Sequence, residues 1–247
     1  MPIRLERAAL CAALWWGAAA AAAPVTVVGT DFDLVYDSTL TGSFGTPSLV
    51  GNTLFFTPNA QRAESLNGAG TQVLSAALSG LRLQGKNGFR FGAFSLAVFG
   101  DYRLSGAGSQ VNASGQLRAF DAALPQAGVL ATALQLEGTQ PFGTADGSNR
   151  NWSATARIDG QTAPSGGGLN GLAAGLEEVD LEIDLQLSAY TDPSQTGLRL
   201  AFIENKFSGL VVDILAASNQ TLPTPSTLAL LAPLLLGGAA LRLLRSS

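Results

Sequence analysis

Between residues 179 and 188, apolar and polar side chains alternate without a break. Val179, Leu181, Ile183, Leu185 and Leu187 fall on one parity; Asp180, Glu182, Asp184, Gln186 and Ser188 fall on the other. Successive side chains of a strand point to opposite faces, so this pattern predicts a strand with one face buried. Shorter versions recur along the chain. Phe32, Leu34 and Tyr36 alternate with Asp33 and Val35, and an apolar run at 53–57 stops at Pro58. Residues 89–91 and 94–104 are rich in strand formers but interrupted by Gly92 and Gly100; 110–120, 132–137 and 151–159 follow, and 179–190 and 197–214 are the longest stretches. Residues 73–83 mix two parities, which predicts a bend or bulge in mid-strand. Trp152 shares a parity with Ala154, Ala156 and Ile158 and is predicted to point inward. Turn clusters separate these segments at Asn67-Gly68, 86–88, Asp146-Gly147 and 165–168. Helix is expected only as single turns, at 171–176 and at the end of 211–217. Many short strands joined by Gly-rich turns predict an all-β fold, a single antiparallel β-sandwich of jelly-roll-like form over 23–221.

The two ends break this pattern. Arg4 and Arg7 precede an apolar stretch at 8–19 and a run of small residues at 20–23. Residues 1–22 therefore read as a secretory leader, handled by the Sec translocon and cut by signal peptidase after Ala22. At the other end, Pro223 and Pro225 fix φ and lack an N–H, which keeps Thr224 extended and accessible. Ser226 or Thr227 can cap a following helix. Residues 228–241 carry no charge, and Arg242 and Arg245 stand close to the terminus. A helix over 228–241, or over 228–244 if Arg242 snorkels, spans roughly 21 or 26 Å at about 1.5 Å per residue, a short membrane segment against a hydrocarbon core of about 30 Å. Arg242 and Arg245 would stop it on the cytoplasmic side of the inner membrane.

The tail formed by Pro223-Thr224-Pro225-Ser226-Thr227, the uncharged run and the terminal arginines resembles a PEP-CTERM sorting signal. The resemblance covers residues 222–247. Members of that family carry Pro-Glu-Pro, often followed by Ser-Thr, a hydrophobic helix and a basic cluster. Here Thr224 stands in the place of the glutamate, and the basic cluster is two arginines. The resemblance implies an exported protein of a Gram-negative bacterium, held transiently in the inner membrane. An exosortase would remove its tail, and the protein would end at the cell surface or in an exopolysaccharide matrix.

Composition narrows the chemistry of the domain between the ends. Its single cysteine, Cys11, lies in the leader, and the chain has no histidine. Ser-His-Asp triads, His-ligated zinc and thiol nucleophiles are thereby excluded from the mature domain. The domain has 10 Lys+Arg against 17 Asp+Glu, a net charge of −7, which argues against nucleic acid as a partner. Asp180, Glu182 and Asp184 share one strand face. Their mutual repulsion calls for a partner: Arg157 or Arg199 across the sheet, or a calcium ion, whose usual ligands are carboxylates. Asp31, Asp33 and Asp37 form a second acidic set around the first strand.

Three functions compete. The leading one is a non-enzymatic exported sandwich protein, with no cofactor and no catalytic residue. The second is a carbohydrate-binding module with Tyr102, Trp152 or Tyr190 as a stacking platform; an aromatic row on an exposed sheet face would favour it. The third is a carboxylate-based glycoside hydrolase, favoured by two carboxyl groups facing across a deep cleft.

Overall fold

The computed structural model describes residues 24–123, 125, 128–138, 141–143, 145–159 and 176–215. The leader, the sorting motif and the helix expected over 228–244 lie outside these residues. Among the described residues, no helix is long and apolar enough to cross a membrane.

Among the described residues, thirteen strands form two antiparallel sheets. In chain order they are β1 (Val25–Val28), β2 (Phe32–Tyr36), β3 (Ser48–Val50), β4 (Thr53–Phe56), β5 (Arg62–Leu66), β6 (Gly70–Gly85), β7 (Arg90–Ser105), β8 (Ser109–Asp121), β9 (Val129–Ala133), β10 (Gln135–Leu136), β11 (Asp146–Asp159), β12 (Glu178–Thr191) and β13 (Leu200–Leu215). One sheet has the order β1-β2-β6-β12-β8-β9. The other runs β10-β11-β7-β13-β4-β3, with β5 pairing along the first part of β13. The chain passes from one sheet to the other between β9 and β10, at Leu134, whose amide donates to the Gly115 carbonyl at 2.9 Å. This is an all-β sandwich with jelly-roll-like connections.

The core fills the space between the sheets. The apolar parity of β12 is buried throughout: Val179, Leu181, Ile183, Leu185 and Leu187 have almost no exposed surface. They face Phe94, Leu96, Val98, Ala154, Ala156, Ile158, Ile203 and Leu210 from the other sheet, within one continuous cluster. Phe32 of the first sheet meets Phe91 of the second edge to face, with ring centroids 5.6 Å apart. Each such side chain contributes about 1.5–3 kcal/mol of apolar burial.

Two local irregularities follow from particular residues. In β6, Ala76 and Leu78 point inward and so do Leu81 and Leu83, a change of parity. Pairing with β12 runs Leu181↔Leu81 and then Ile183↔Leu78, so Ser79 and Gly80 together oppose Glu182. Gly80 takes φ +69°, a backbone that its missing Cβ permits. The mixed pattern of 73–83 is this bulge. In β13, Ala201, Ile203 and Asn205 point inward before a register shift at Lys206, and Ser208, Leu210 and Val212 after it.

Other expectations change. The stretches on either side of Gly92 are one continuous strand, β7. Of the segment 211–217, at whose end a helical turn was expected, residues 211–215 are strand, Val211 to Leu215 pairing with Ser95 to Arg90 of β7. Residues 216–217, where that turn was expected to end, lie outside the described residues. The other expected turn falls on 171–175, outside the described residues, and Leu176 makes an antiparallel bridge with Phe91.

Candidate functional site

The outer face of the six-stranded sheet carries the acidic row of β12 along its centre. Cross-strand register lines up a ladder of side chains. Asp180 stands between Arg82 of β6 and Phe120 of β8, Glu182 stands beside Arg118, and Asp184 stands between Ala77 and Gln116. Further along, Gln186 lies between Ser75 and Ser114, Ser188 between Val73 and Asn112, and Tyr190 between Thr71 and Gln110. The face thus changes from charged at one end to uncharged at the other.

At the charged end two arginines bridge three carboxylates. Arg82 grips Asp180 with two parallel bonds, Nε to Oδ1 at 2.7 Å and Nη2 to Oδ2 at 2.8 Å. The Asp180 carboxylate raises the Arg82 pKa above its ordinary value. Arg118 Nη2 reaches Asp184 at 2.7 Å and Glu182 at 3.0 Å, and Gln116 Nε2 adds a bond to Asp184 Oδ2 at 2.9 Å. Arg82 and Arg118, not Arg157 or Arg199, answer the acidic row. Arg157 lies on the other sheet, bonded to Asp159, Asp213 and Ser95. Arg199 is buried, its guanidinium donating to the backbone carbonyls of Gln195 and Thr196. Asp180, Glu182 and Asp184, the calcium candidates, hold guanidinium groups and are spread along a straight strand. Among the described residues no three His, Cys, Asp or Glu side chains converge on one point. At the sheet edge Lys86 Nζ meets Asp33 at 2.7 Å, and this bond holds the Asp33 carboxyl below the usual carboxylate range.

Three shallow depressions run along this face. The charged end borders one of about 570 Å³, with Arg82, Asp180, Glu182 and Phe120 in its wall. A smaller one of about 280 Å³ follows between Ser75, Asp184 and Gln186. The third, about 360 Å³, is lined by Thr71, Gln110, Asn112, Pro141, Ser188 and Tyr190.

The three aromatic residues singled out as stacking candidates do not share a face. Trp152 is 3% exposed and points into the core, as its parity predicts. Its indole lies over Gly100, its partner across β7, and Nε1 donates to the Glu204 carbonyl of β13 at 3.0 Å. Tyr102 is 7% exposed and stacks flat on Phe142, ring centroids 4.7 Å apart. Only Tyr190 lies on an outer face. The seven-stranded sheet does present an exposed aromatic row that local pattern did not reveal. Phe99, Phe207 and Phe55 lie on the adjacent strands β7, β13 and β4, with centroids 6.3 Å and 5.7 Å apart. Phe99 is 45% exposed and Phe207 36%. Val50 and Val211 continue this patch with aliphatic surface, and none of these five side chains carries a hydrogen-bonding group.

No family model matches the chain, and no curated protein matches it. Among solved structures it is similar to one of infectious bursal disease virus, Gx strain, at 12% identity and TM-score 0.36, over 80% of this chain and 38% of that one. It is also similar to a carbohydrate-binding module of the β-sandwich superfamily at 10% identity and TM-score 0.22, over 78% of this chain and 97% of that one. The chain thus spans 38% of the length of the viral protein. Similarities this slight carry no argument about function.

Proposed function

We propose that this chain is an exported, non-enzymatic β-sandwich protein of the cell surface or exopolysaccharide matrix, whose C-terminal tail is recognised and removed by an exosortase. The observation that carries this is the order of the tail: Pro223-Thr224-Pro225-Ser226-Thr227, then an uncharged run at 228–241, then Arg242 and Arg245. Its position is compatible with that role. Pro223 follows the last strand residue, Leu215, by eight positions.

The geometry also bears on the rival functions. The carboxylates of β12 stand side by side on one strand face, engaged by arginines, whereas glycoside hydrolysis calls for two carboxyl groups flanking a bound sugar. Carbohydrate binding is favoured by the uncharged end of the same sheet, around Tyr190.

The test is cell fractionation with intact-mass measurement, in a host with and without its exosortase. Loss of roughly 20 or more C-terminal residues, only when the enzyme is present, is the expected result, because that length is a short membrane span plus its flanks. An intact Ser247 terminus on a fully soluble protein in both strains would refute the proposal.

A further inference from the structure

The uncharged end of the six-stranded sheet gathers amides, hydroxyls and one aromatic ring in a single depression. In the depression of about 360 Å³, Thr71, Gln110, Asn112, Ser188 and Tyr190 present amides and hydroxyls from three adjacent strands. Several other polar side chains are bonded to one another: Gln116 with Asp184, Gln61 with Asn205, Ser65 with Thr191, Ser153 with Glu137. Among the described residues, the side chains of these five depression residues have no such partner. They offer both donors and acceptors and carry no charge. Tyr190 adds a half-exposed ring with a polar tip, and Pro141 closes one wall.

A ligand for this surface must therefore be neutral, rich in groups that both donate and accept, and flat enough on one side to lie against a ring. A chain of sugar rings has these properties: hydroxyl edges for the amides, and an apolar C–H face for Tyr190. The direction of the site favours a linear polymer over a single small molecule. From Gln186 to Tyr190 the uncharged rows extend about 13 Å at roughly 3.3 Å per residue, and the neighbouring depression continues the line. At the other end Arg82 and Arg118 face Asp180, Glu182 and Asp184, two cations against three carboxylates, so the excess charge is negative and disfavours an anionic ligand.

We infer that the outer face of the six-stranded sheet around Tyr190 is a binding site for a neutral polysaccharide, with Tyr190 as the stacking ring and Gln110, Asn112 and Ser188 bonding the sugar hydroxyls. The inference deepens the proposed matrix association by naming its partner and the site that holds it.

The test is affinity electrophoresis of the full chain in mild detergent, through native gels containing mixed-linkage β-glucan, galactomannan or dextran, with alginate as the anionic control. Wild-type protein should be retarded by at least one neutral polymer and not by alginate. Tyr190→Ala should weaken retardation at least tenfold. Asn112→Asp, which keeps the side-chain shape but adds a charge, should weaken it several-fold with an unchanged melting curve. Phe207→Ser, on the other sheet, should bind like wild type. Retardation by none of the three neutral polymers, retardation by alginate alone, retention of binding in both Tyr190→Ala and Asn112→Asp, or loss confined to Phe207→Ser would each overturn the inference. Binding is read on the uncut chain, so a failure of tail processing leaves this result standing. Loss of glycan binding likewise leaves the tail proposal standing.

Discussion

Gly100→Ala is the sharpest probe of how the sandwich is closed. Gly100 sits on the inner face of β7 between Trp152 of β11 and Asn205 of β13. The indole of Trp152 crosses it to reach the Glu204 carbonyl. A Cβ built on Gly100 would stand 1.9 Å from that carbonyl oxygen and 2.5 Å from the indole nitrogen. Both contacts lie far inside van der Waals distance, and one is backbone, so the strands or the ring must move by about an ångström. Overpacking of this kind costs about 1–3 kcal/mol. Displacing the indole also leaves a buried N–H without its acceptor, for another 1–3 kcal/mol. Alanine recovers about 0.5–1 kcal/mol of the backbone entropy that glycine loses on folding. The net expectation is a loss of roughly 1–5.5 kcal/mol, or a fall in Tm on the order of 10 °C for a domain of this size. Gly92→Ala is the control. Its Cβ would meet only the side chain of Leu215, which is 42% exposed, and no backbone atom, so Tm should fall less than in Gly100→Ala. Thermal melts should be followed on protein lacking residues 1–22, where Trp152 is the remaining tryptophan. Its emission should be blue-shifted and poorly quenched by acrylamide in wild type, and less so in Gly100→Ala. Equal melting temperatures for the two glycine variants, or solvent-like emission from the wild type, would refute this account of the core.

Two further outcomes follow from the sheet and its charges. Ile183→Asp should abolish cooperative folding, because it places a charge on the buried face of β12, whereas Glu182→Gln on the outer face should change stability by no more than about 1 kcal/mol; similar denaturant midpoints for the two would show that β12 is not central. Stability should be level from about pH 5.5 to 8, since no histidine is present, and should fall in acid. Lys86 holds the Asp33 carboxyl below its unfolded value of about 3.9, so its contribution is complete above that value and is lost as pH falls through the folded one. A urea midpoint that drops chiefly between pH 5 and 7 would contradict this.

Local pattern carried much of the fold. The period-two run of β12 specified its buried face, the parity change at 73–83 announced the bulge at Ser79-Gly80, and the phase of Trp152 turned it inward. These are properties of a few consecutive residues, and a strand's side-chain period is a local fact. Short β5, with its sequence Arg-Ala-Glu-Ser-Leu, left no such trace, and it is a strand because β13 offers it an edge. Which strands become neighbours, and in what register, depends on contacts between distant parts of the chain. Arg82 answers Asp180 across 98 residues, so the acidic row pointed to a counter-charge without identifying it. Phe55 and Phe207 meet on adjacent strands although neither belongs to a shared motif. Thr71 and Gln110 flank Tyr190 only because β6 and β8 pack on either side of β12. The sequence alone determined faces and bends, and it carries the whole case for the proposed signals at the two ends. The tertiary structure decided which polar groups stand together on the surface, because that follows from register between strands remote in sequence.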